Sequence, residues 1–209
     1  MGRKKSSDAW LREHFDDEFV KRAQKEGFRS RAVYKLIEID QRGHLLTPGM
    51  TVVDLGAAPG GWSQYAKQRV GVRGRVLALD LLPMPPVAGV EFIQGDFTEQ
   101  DTLDLLLSAL SGMPVDLVIS DMAPNISGIA VSDQAKTMYL AELALDFAQQ
   151  CLRPQGRLLI KTFQGQGFNG LYKRLQANFS KVITRKPRAS RARSREIYLL
   201  GKEFHGANV

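Results

Sequence analysis

Four aspartates near the ends of short apolar runs, and one lysine set inside a fifth such run, are the residues of this chain best placed to do chemistry. Val52-Val53-Asp54-Leu55 carries the first acid and Arg75-Val76-Leu77-Ala78-Leu79-Asp80 the second. Val90-Glu91-Phe92-Ile93-Gln94-Gly95-Asp96-Phe97 carries the third, and Val115-Asp116-Leu117-Val118-Ile119-Ser120-Asp121 the fourth. Runs of this length and β-branched content fit buried parallel strands. Open α/β sheets bind ligands beyond the carboxyl ends of their strands, so acids at those ends share one crevice. In Leu158-Leu159-Ile160-Lys161-Thr162-Phe163 the lysine interrupts an apolar strand. An unpaired buried ammonium is costly, so Lys161 must meet a carboxylate or lose its proton, and Asp121 is the natural partner. A salt bridge with no chemical role is the alternative reading of that pair.

The turn after the first acid reads Gly56-Ala57-Ala58-Pro59-Gly60-Gly61-Trp62. Its glycines let the backbone turn tightly and approach a ligand, and the helix that follows offers free N–H groups. Asp54, Gly56 and Gly60 thus mark a nucleotide-type cofactor site. A dinucleotide turn needs glycine where Ala58 stands, and Pro59 stiffens the loop, which disfavours a pyrophosphate and with it NAD. S-adenosylmethionine, with no pyrophosphate and a cationic centre, fits better. Asp80, 19 residues after Gly61, stands where a carboxylate takes ribose hydroxyls in either class. Asp96 is an acceptor for an adenine amino group beside Phe97, a ring able to pack on the base. Trp62 either touches the ligand or packs against the sheet.

The elements that must hold these residues follow from periodicity. Asp8 caps a first helix with Trp10, Phe15, Phe19 and Ala23 on one face, and Ala32 to Arg42 forms a second that Gly43 stops. Strands near 51–55, 75–80, 90–94, 115–120 and 156–163 alternate with helices near 61–70, 98–110, 134–152 and 168–178. That is an α/β doubly wound parallel sheet with helices on both faces. Lys181 to Lys186 and Glu196 to Leu200 are two further strands with only a loop between them, so an antiparallel hairpin closes a seven-stranded sheet, an arrangement that resembles the Rossmann-like methyltransferase fold.

The bulk numbers bound the class. At 209 residues the chain supports one domain, with a disordered basic tail at 1–9, helices in 10–43 and the sheet core in 51–201. Charged residues make 24 %, and no apolar run approaches the ~20 residues of a membrane span, so the expectation is a cytoplasmic protein without a membrane partner. One cysteine, Cys151, reads as a small core residue on a helix, and the 3 scattered histidines imply no metal. Residues 1–35 carry a net +4 and residues 181–195 a net +7 without one acid, which leaves −4 for the rest. An acidic cofactor-binding body with two basic flanks suggests a polyanion beside the crevice.

Taken together the chain resembles the FtsJ family of ribose 2′-O-methyltransferases over nearly its whole length. The matching blocks are Ser30-Arg31-Ala32 with Tyr34-Lys35-Leu36, Asp54 to Tyr65, Asp80-Leu81-Leu82-Pro83, Gly95-Asp96-Phe97, Ser120 to Asn125, Lys161 with Phe163-Gln164-Gly165, and Ser190 to Glu196. The resemblance is strongest to bacterial members that methylate a uridine of 23S ribosomal RNA in the large subunit. It implies that Gly60, Trp62, Asp80, Asp96 and Asp121 contact S-adenosylmethionine and that a Lys-Asp-Lys-Glu catalytic set falls on Lys35, Asp121, Lys161 and Glu196. It also implies that Arg29 and Arg31 on one flank, and Arg188, Arg191, Arg193 and Arg195 on the other, hold RNA. A monomer suffices for this arrangement.

Transfer to a ribose hydroxyl needs the oxygen aligned with the methyl group and its proton removed. Lys161 is assigned that proton; the alternative is that it stays protonated and only orients the oxygen. Rival readings are the same chemistry on transfer RNA, a non-catalytic RNA-binding assembly factor, and an NAD-dependent oxidoreductase.

Overall fold

The computed structural model describes residues 17–124, 128, 130–191 and 194–206, and Asp17 opens the first helix among them. Its carboxylate accepts from the Phe19 N–H at 2.9 Å, and helix α1 (Glu18–Glu26) ends where Gly27 turns left-handed at φ +73°. Asp8, Trp10 and Phe15 lie outside the described residues. Helix α2 (Val33–Gly43) buries Val33, Tyr34, Leu36 and Ile39, and the left-handed residue that ends it is His44 at φ +47°, one beyond the expected Gly43. Asp40, buried on the same helix, accepts from the Leu46 N–H, the Tyr65 hydroxyl and the Arg69 guanidinium.

The rest is the doubly wound sheet. Strands β1 (Thr51–Leu55), β2 (Arg75–Asp80), β3 (Val90–Gln94), β4 (Val115–Ser120) and β5 (Leu152–Phe163) alternate with helices α3 (Gly61–Val70), α4 (Gln100–Leu110) and α5 (Ala130–Cys151). Helix α6 (Phe168–Asn178), β6 (Phe179–Arg185) and β7 (Glu196–Phe204) complete the chain. The seven-stranded sheet has the order β3-β2-β1-β4-β5-β7-β6. β1 to β5 pair in parallel, whereas β7 is antiparallel to both β5 and β6, as the two strands joined by a loop required. β5 starts earlier than position 156 because its register with β4 shifts between Val115 and Leu117, where Gln155 takes φ +66°. Regular pairing resumes at Arg157.

The alternation of side chains in each strand feeds two cores. Val53, Leu55, Leu77, Leu79, Val118, Leu158, Ile160 and Leu199 face α4, α5 and α6. Val52, Val76, Leu117, Ile119, Leu159, Tyr198 and Leu200 face α2 and α3. Asp54, Asp121 and Lys161 follow the second set, so the polar residues collect on the α2/α3 side. Cys151 packs against the first core, and burial pushes its thiol up to about 12.

Candidate active site

The strand order reverses between β1 and β4, which is where open α/β sheets form a crevice. Parallel pairing sets Ser120 beside Ile160, so the next residues, Asp121 and Lys161, emerge together at the carboxyl ends of β4 and β5. β7 runs back along β5 with Tyr198 opposite Lys161 and Glu196 opposite Phe163, which puts both on the face shared with Lys161. From the other side α2 contributes Lys35. Lys161 Nζ lies 3.0 Å from Asp121 Oδ1 and also donates to the Asp121 backbone carbonyl. Lys35 Nζ lies 2.7 Å from Glu196 Oε1 and 4.0 Å from Asp121 Oδ1. The four side chains keep only 6 %, 14 %, 12 % and 17 % exposure for Lys161, Lys35, Glu196 and Asp121. The structure therefore brings the whole expected set together. Burial pushes the Asp121 carboxyl up, but Lys161 and Lys35, with the hydrogen bonds of Tyr198 and Lys161, outweigh it and hold the group below its usual value.

Three more acids stand at or just beyond the carboxyl ends of the first three strands, Asp54 on β1, Asp80 on β2 and Asp96 after β3. Asp54 is fully buried; its Oδ2 accepts from Ser63 Oγ at 2.6 Å while its Oδ1 has no partner. Burial, then Asp121 and Asp80, push its carboxyl up to about 7 against the opposing Ser63 hydrogen bond. A buried carboxylate with a free oxygen, crowded by two more acids, suits a cationic ligand; this matches the ammonium and sulfonium of S-adenosylmethionine better than a pyrophosphate. Asp80 accepts from the Ala58 and Leu82 N–H groups, each at 2.8 Å, and so ties the glycine turn to the end of β2. Gly56, at φ +78°, has Met122 so close that a Cβ would stand 2.7 Å from its side chain, which locks the loops after β1 and β4 together. Asp96 binds the Thr98 N–H and hydroxyl, which lower its pKa against burial.

Several of the expected contact residues also have partners within the fold. Trp62 is 3 % exposed, donates its Nε1–H to the Ala32 carbonyl at 2.8 Å and packs on Tyr198 with centroids 5.8 Å apart, so its side chain braces α3 against α2 and β7. Phe97 is likewise a core ring, edge-on to Phe147. Arg29 donates to the carbonyls of Pro59, Pro85 and Pro86, clamping the glycine turn to the β2–β3 loop. Arg31 pairs with Asp17 and donates to the Ala189 carbonyl, so it fastens α1 and the 187–191 turn and is not a free cation. Arg188 and Arg195 are exposed, Arg191 is half-buried, and Arg193 lies outside the described residues.

Comparison with known proteins gives the family. A family model described as FtsJ-like methyltransferase matches residues 28–204. The chain belongs to the FtsJ-like methyltransferase family. Among its relatives, a protein of Chromohalobacter salexigens named ribosomal RNA large subunit methyltransferase E is 61 % identical over 202 residues, covering 97 % of this chain and 96 % of the relative. A protein of the same name from Methylobacillus flagellatus is 59 % identical over 207 residues, covering 99 % of this chain and all of the relative, 100 %. The crystal structure of a Plasmodium falciparum protein described as a ribosomal RNA methyltransferase superposes with a TM-score of 0.76 at 31 % identity, covering 86 % of this chain and 100 % of that one.

This FtsJ-like methyltransferase carries two site residues beyond the expected set. Tyr198 donates its hydroxyl to Asp121 Oδ1 at 2.6 Å, and burial with the two nearby acids raises its own pKa well above the usual value. Its signal in the sequence is its place two residues after Glu196, on the same strand face. Ser190 donates to Glu196 Oε1 at 2.7 Å, from a turn that Arg188, through its N–H to Glu38 Oε2, fastens to α2. Asp121 Oδ1 and Glu196 Oε1 each collect several donors, which fixes both lysines without their sharing an acceptor at short range.

Proposed function

We propose that this chain transfers the methyl group of S-adenosylmethionine to the 2′-hydroxyl of a uridine in 23S ribosomal RNA, within the large ribosomal subunit. The observation that carries the reading is Lys161 held by both the carboxylate and the carbonyl of Asp121. That pair stands at the strand ends that adjoin the glycine turn and its buried acid. The names of the relatives support the substrate class.

When bound, S-adenosylmethionine supplies an electrophilic methyl group on a sulfonium whose charge vanishes as the new bond forms. Asp54, Asp80 and Asp96 hold its polar ends, with Gly56 and Gly60 giving the backbone its close approach. Asp121 both faces the methionine end and fixes Lys161. Lys161, entering the step as the neutral amine after giving its own proton to solvent, takes the proton of the ribose hydroxyl at Nζ, a role worth about 10²- to 10⁴-fold in rate. Lys35 and Glu196 hold the ribose edge and keep Lys161 apart from a second acid. Arg188, Arg191 and Arg195, with Arg193, offer charge to the phosphates beside it.

The test supplies methyl-labelled S-adenosylmethionine to large ribosomal subunits, naked ribosomal RNA and transfer RNA in parallel, followed by nucleoside analysis. Label in 2′-O-methyluridine from the subunit is the expected result. Label in transfer RNA alone would move the acceptor, and none anywhere, with cofactor bound, would leave an RNA-binding factor without activity.

A further inference from the structure

The last two strands carry a like-charge contact that the fold does not need. In the antiparallel pairing of β6 with β7, Lys181 stands directly opposite Lys202. Like charges so placed destabilise a sheet. One step beyond the paired Leu158 and Gly201, Arg157 faces Lys202 from β5, so three cations cross three strands in a row. Burial first, then Arg157, Lys181 and Arg185, lower the pKa of Lys202, with Glu203 opposing.

Two of these cations have a structural use. Lys202 Nζ donates to the Gly43 carbonyl at 2.9 Å, and Arg157 donates to the carbonyls of His44 and Leu45, so both satisfy the carboxyl end of α2. Lys181 is different. It is exposed, and no acid or carbonyl among the described residues pairs with it. Four residues along the same face, about 13 Å for an extended strand, Arg185 keeps its Nε buried without an acceptor and reaches only the Thr184 carbonyl at 3.5 Å. β6 is the outermost strand and neighbours β7, the strand that delivers Glu196 and Tyr198 to the crevice.

We propose that the face of β6 marked by Lys181 and Arg185 holds the phosphate backbone of RNA beyond the acceptor nucleotide, extending the binding surface from the crevice along the edge of the sheet. The proposal rests on the reading of this chain as an RNA methyltransferase. An exposed, unpaired lysine with a second cation, the half-buried Arg185, further along the same edge offers positive charge to the phosphates of a nucleic-acid strand. A lysine on an edge strand also guards against strand pairing, but a glutamate guards equally well, so charge reversal separates the two uses.

The experiment compares the full chain with Lys181→Glu and with Lys173→Glu, an exposed lysine of α6, on the opposite face of the sheet. Direct binding to naked large-subunit RNA and methyl transfer to it and to large subunits are measured from 50 to 200 mM salt. Lys181→Glu should weaken RNA binding and raise KM about three- to tenfold, leave kcat within about twofold, and flatten the slope of log affinity against log salt by about 0.7 to 0.9. Its Tm should hold or rise, because the new acid faces Lys202, so weakened binding is not unfolding. Affinity and slope equal to those of wild type and Lys173→Glu overturn the proposal. An effect on subunits with none on naked RNA also overturns it, in favour of a protein contact. Wild type that binds RNA without methylating it, while Lys181→Glu binds more weakly, defeats the proposed activity and leaves the docking face standing.

Discussion

Replacing Asp54 by asparagine should stabilise the ligand-free protein above pH 7 while weakening its hold on S-adenosylmethionine. The carboxyl is raised from 3.8 to about 7, by burial first and then by Asp121 and Asp80, with the Ser63 hydrogen bond opposing. An acid whose folded pKa lies above its unfolded value binds its proton more tightly in the folded state. Stability is therefore highest below the unfolded value, falls as pH rises from about 3.8 to about 7, and is flat beyond. Ionising this group costs the fold about 4 kcal/mol relative to a neutral isostere, of which about 2 to 3 kcal/mol is lost between pH 5 and pH 8. Asparagine keeps an oxygen for Ser63 Oγ and carries no charge, so its stability should not follow this curve. For a chain of this size the Tm advantage of Asp54→Asn should grow by about 5–10 °C between pH 5 and pH 8. Calorimetric titration supplies the other half: wild-type affinity for the cofactor should fall by up to about tenfold per pH unit below about 7, and Asp54→Asn should bind weakly at every pH. Tm curves that run parallel from pH 5 to pH 8 would refute the reasoning, because they would mean that Asp54 keeps its charge without a partner.

Both Lys161→Ala and Lys161→Arg should abolish methyl transfer while cofactor affinity stays within about threefold by calorimetry; an arginine variant retaining more than about a tenth of turnover would assign Lys161 to orienting the oxygen and not to taking its proton. Tyr198→Phe removes the donor to Asp121 Oδ1, so kcat should fall by about tenfold, the size of a hydrogen bond to a charged group, and unchanged kcat would reduce the tyrosine to packing. Trp62→Ala should cost about 3–5 kcal/mol in chemical denaturation, and Trp62→Phe should leave cofactor affinity unchanged; a large loss of affinity in the phenylalanine variant would place the indole on the ligand.

The strand ends were legible because burial on both faces of a parallel sheet is written as continuous apolar runs, and an acid at the end of such a run has one place to go. Position 152 escaped as the start of β5 because the shift near Gln155 places polar residues where a strand pattern breaks. Glu196 carries no signal of its own, being the first residue of its strand, and is found only through resemblance. Tyr198 looks like a core aromatic and is one; only its register opposite Lys161 reveals that its hydroxyl reaches Asp121. Arg29 and Arg31 show what counting charges misses. A guanidinium can spend its donors on carbonyls brought close by the fold, here Pro85, Pro86 and Ala189, and such partners are far away in sequence.

The reversed direction of β7 is what makes the site possible. The carboxyl ends of β1, β4 and β5 all open on one edge of the sheet, and a strand added in parallel would bring only its own last residues there. Running antiparallel, β7 presents its first residues to that edge, so Glu196 and Tyr198 arrive beside Lys161 and Asp121 directly after the basic 186–195 loop. The basic loop and the strand that closes the lysine cluster are thereby one continuous segment. Register then matters as much as direction: a slip of one residue between β5 and β7 would turn Glu196 and Tyr198 toward the α5 and α6 core. Phe179 and Leu199, buried on that opposite side with Phe204, hold the register by the same alternation that exposes the two polar side chains to Lys35. A contact such as Lys181 on Lys202 costs stability in that very pairing, and retaining it is reasonable where the gain is a hold on the substrate that the crevice alone does not provide.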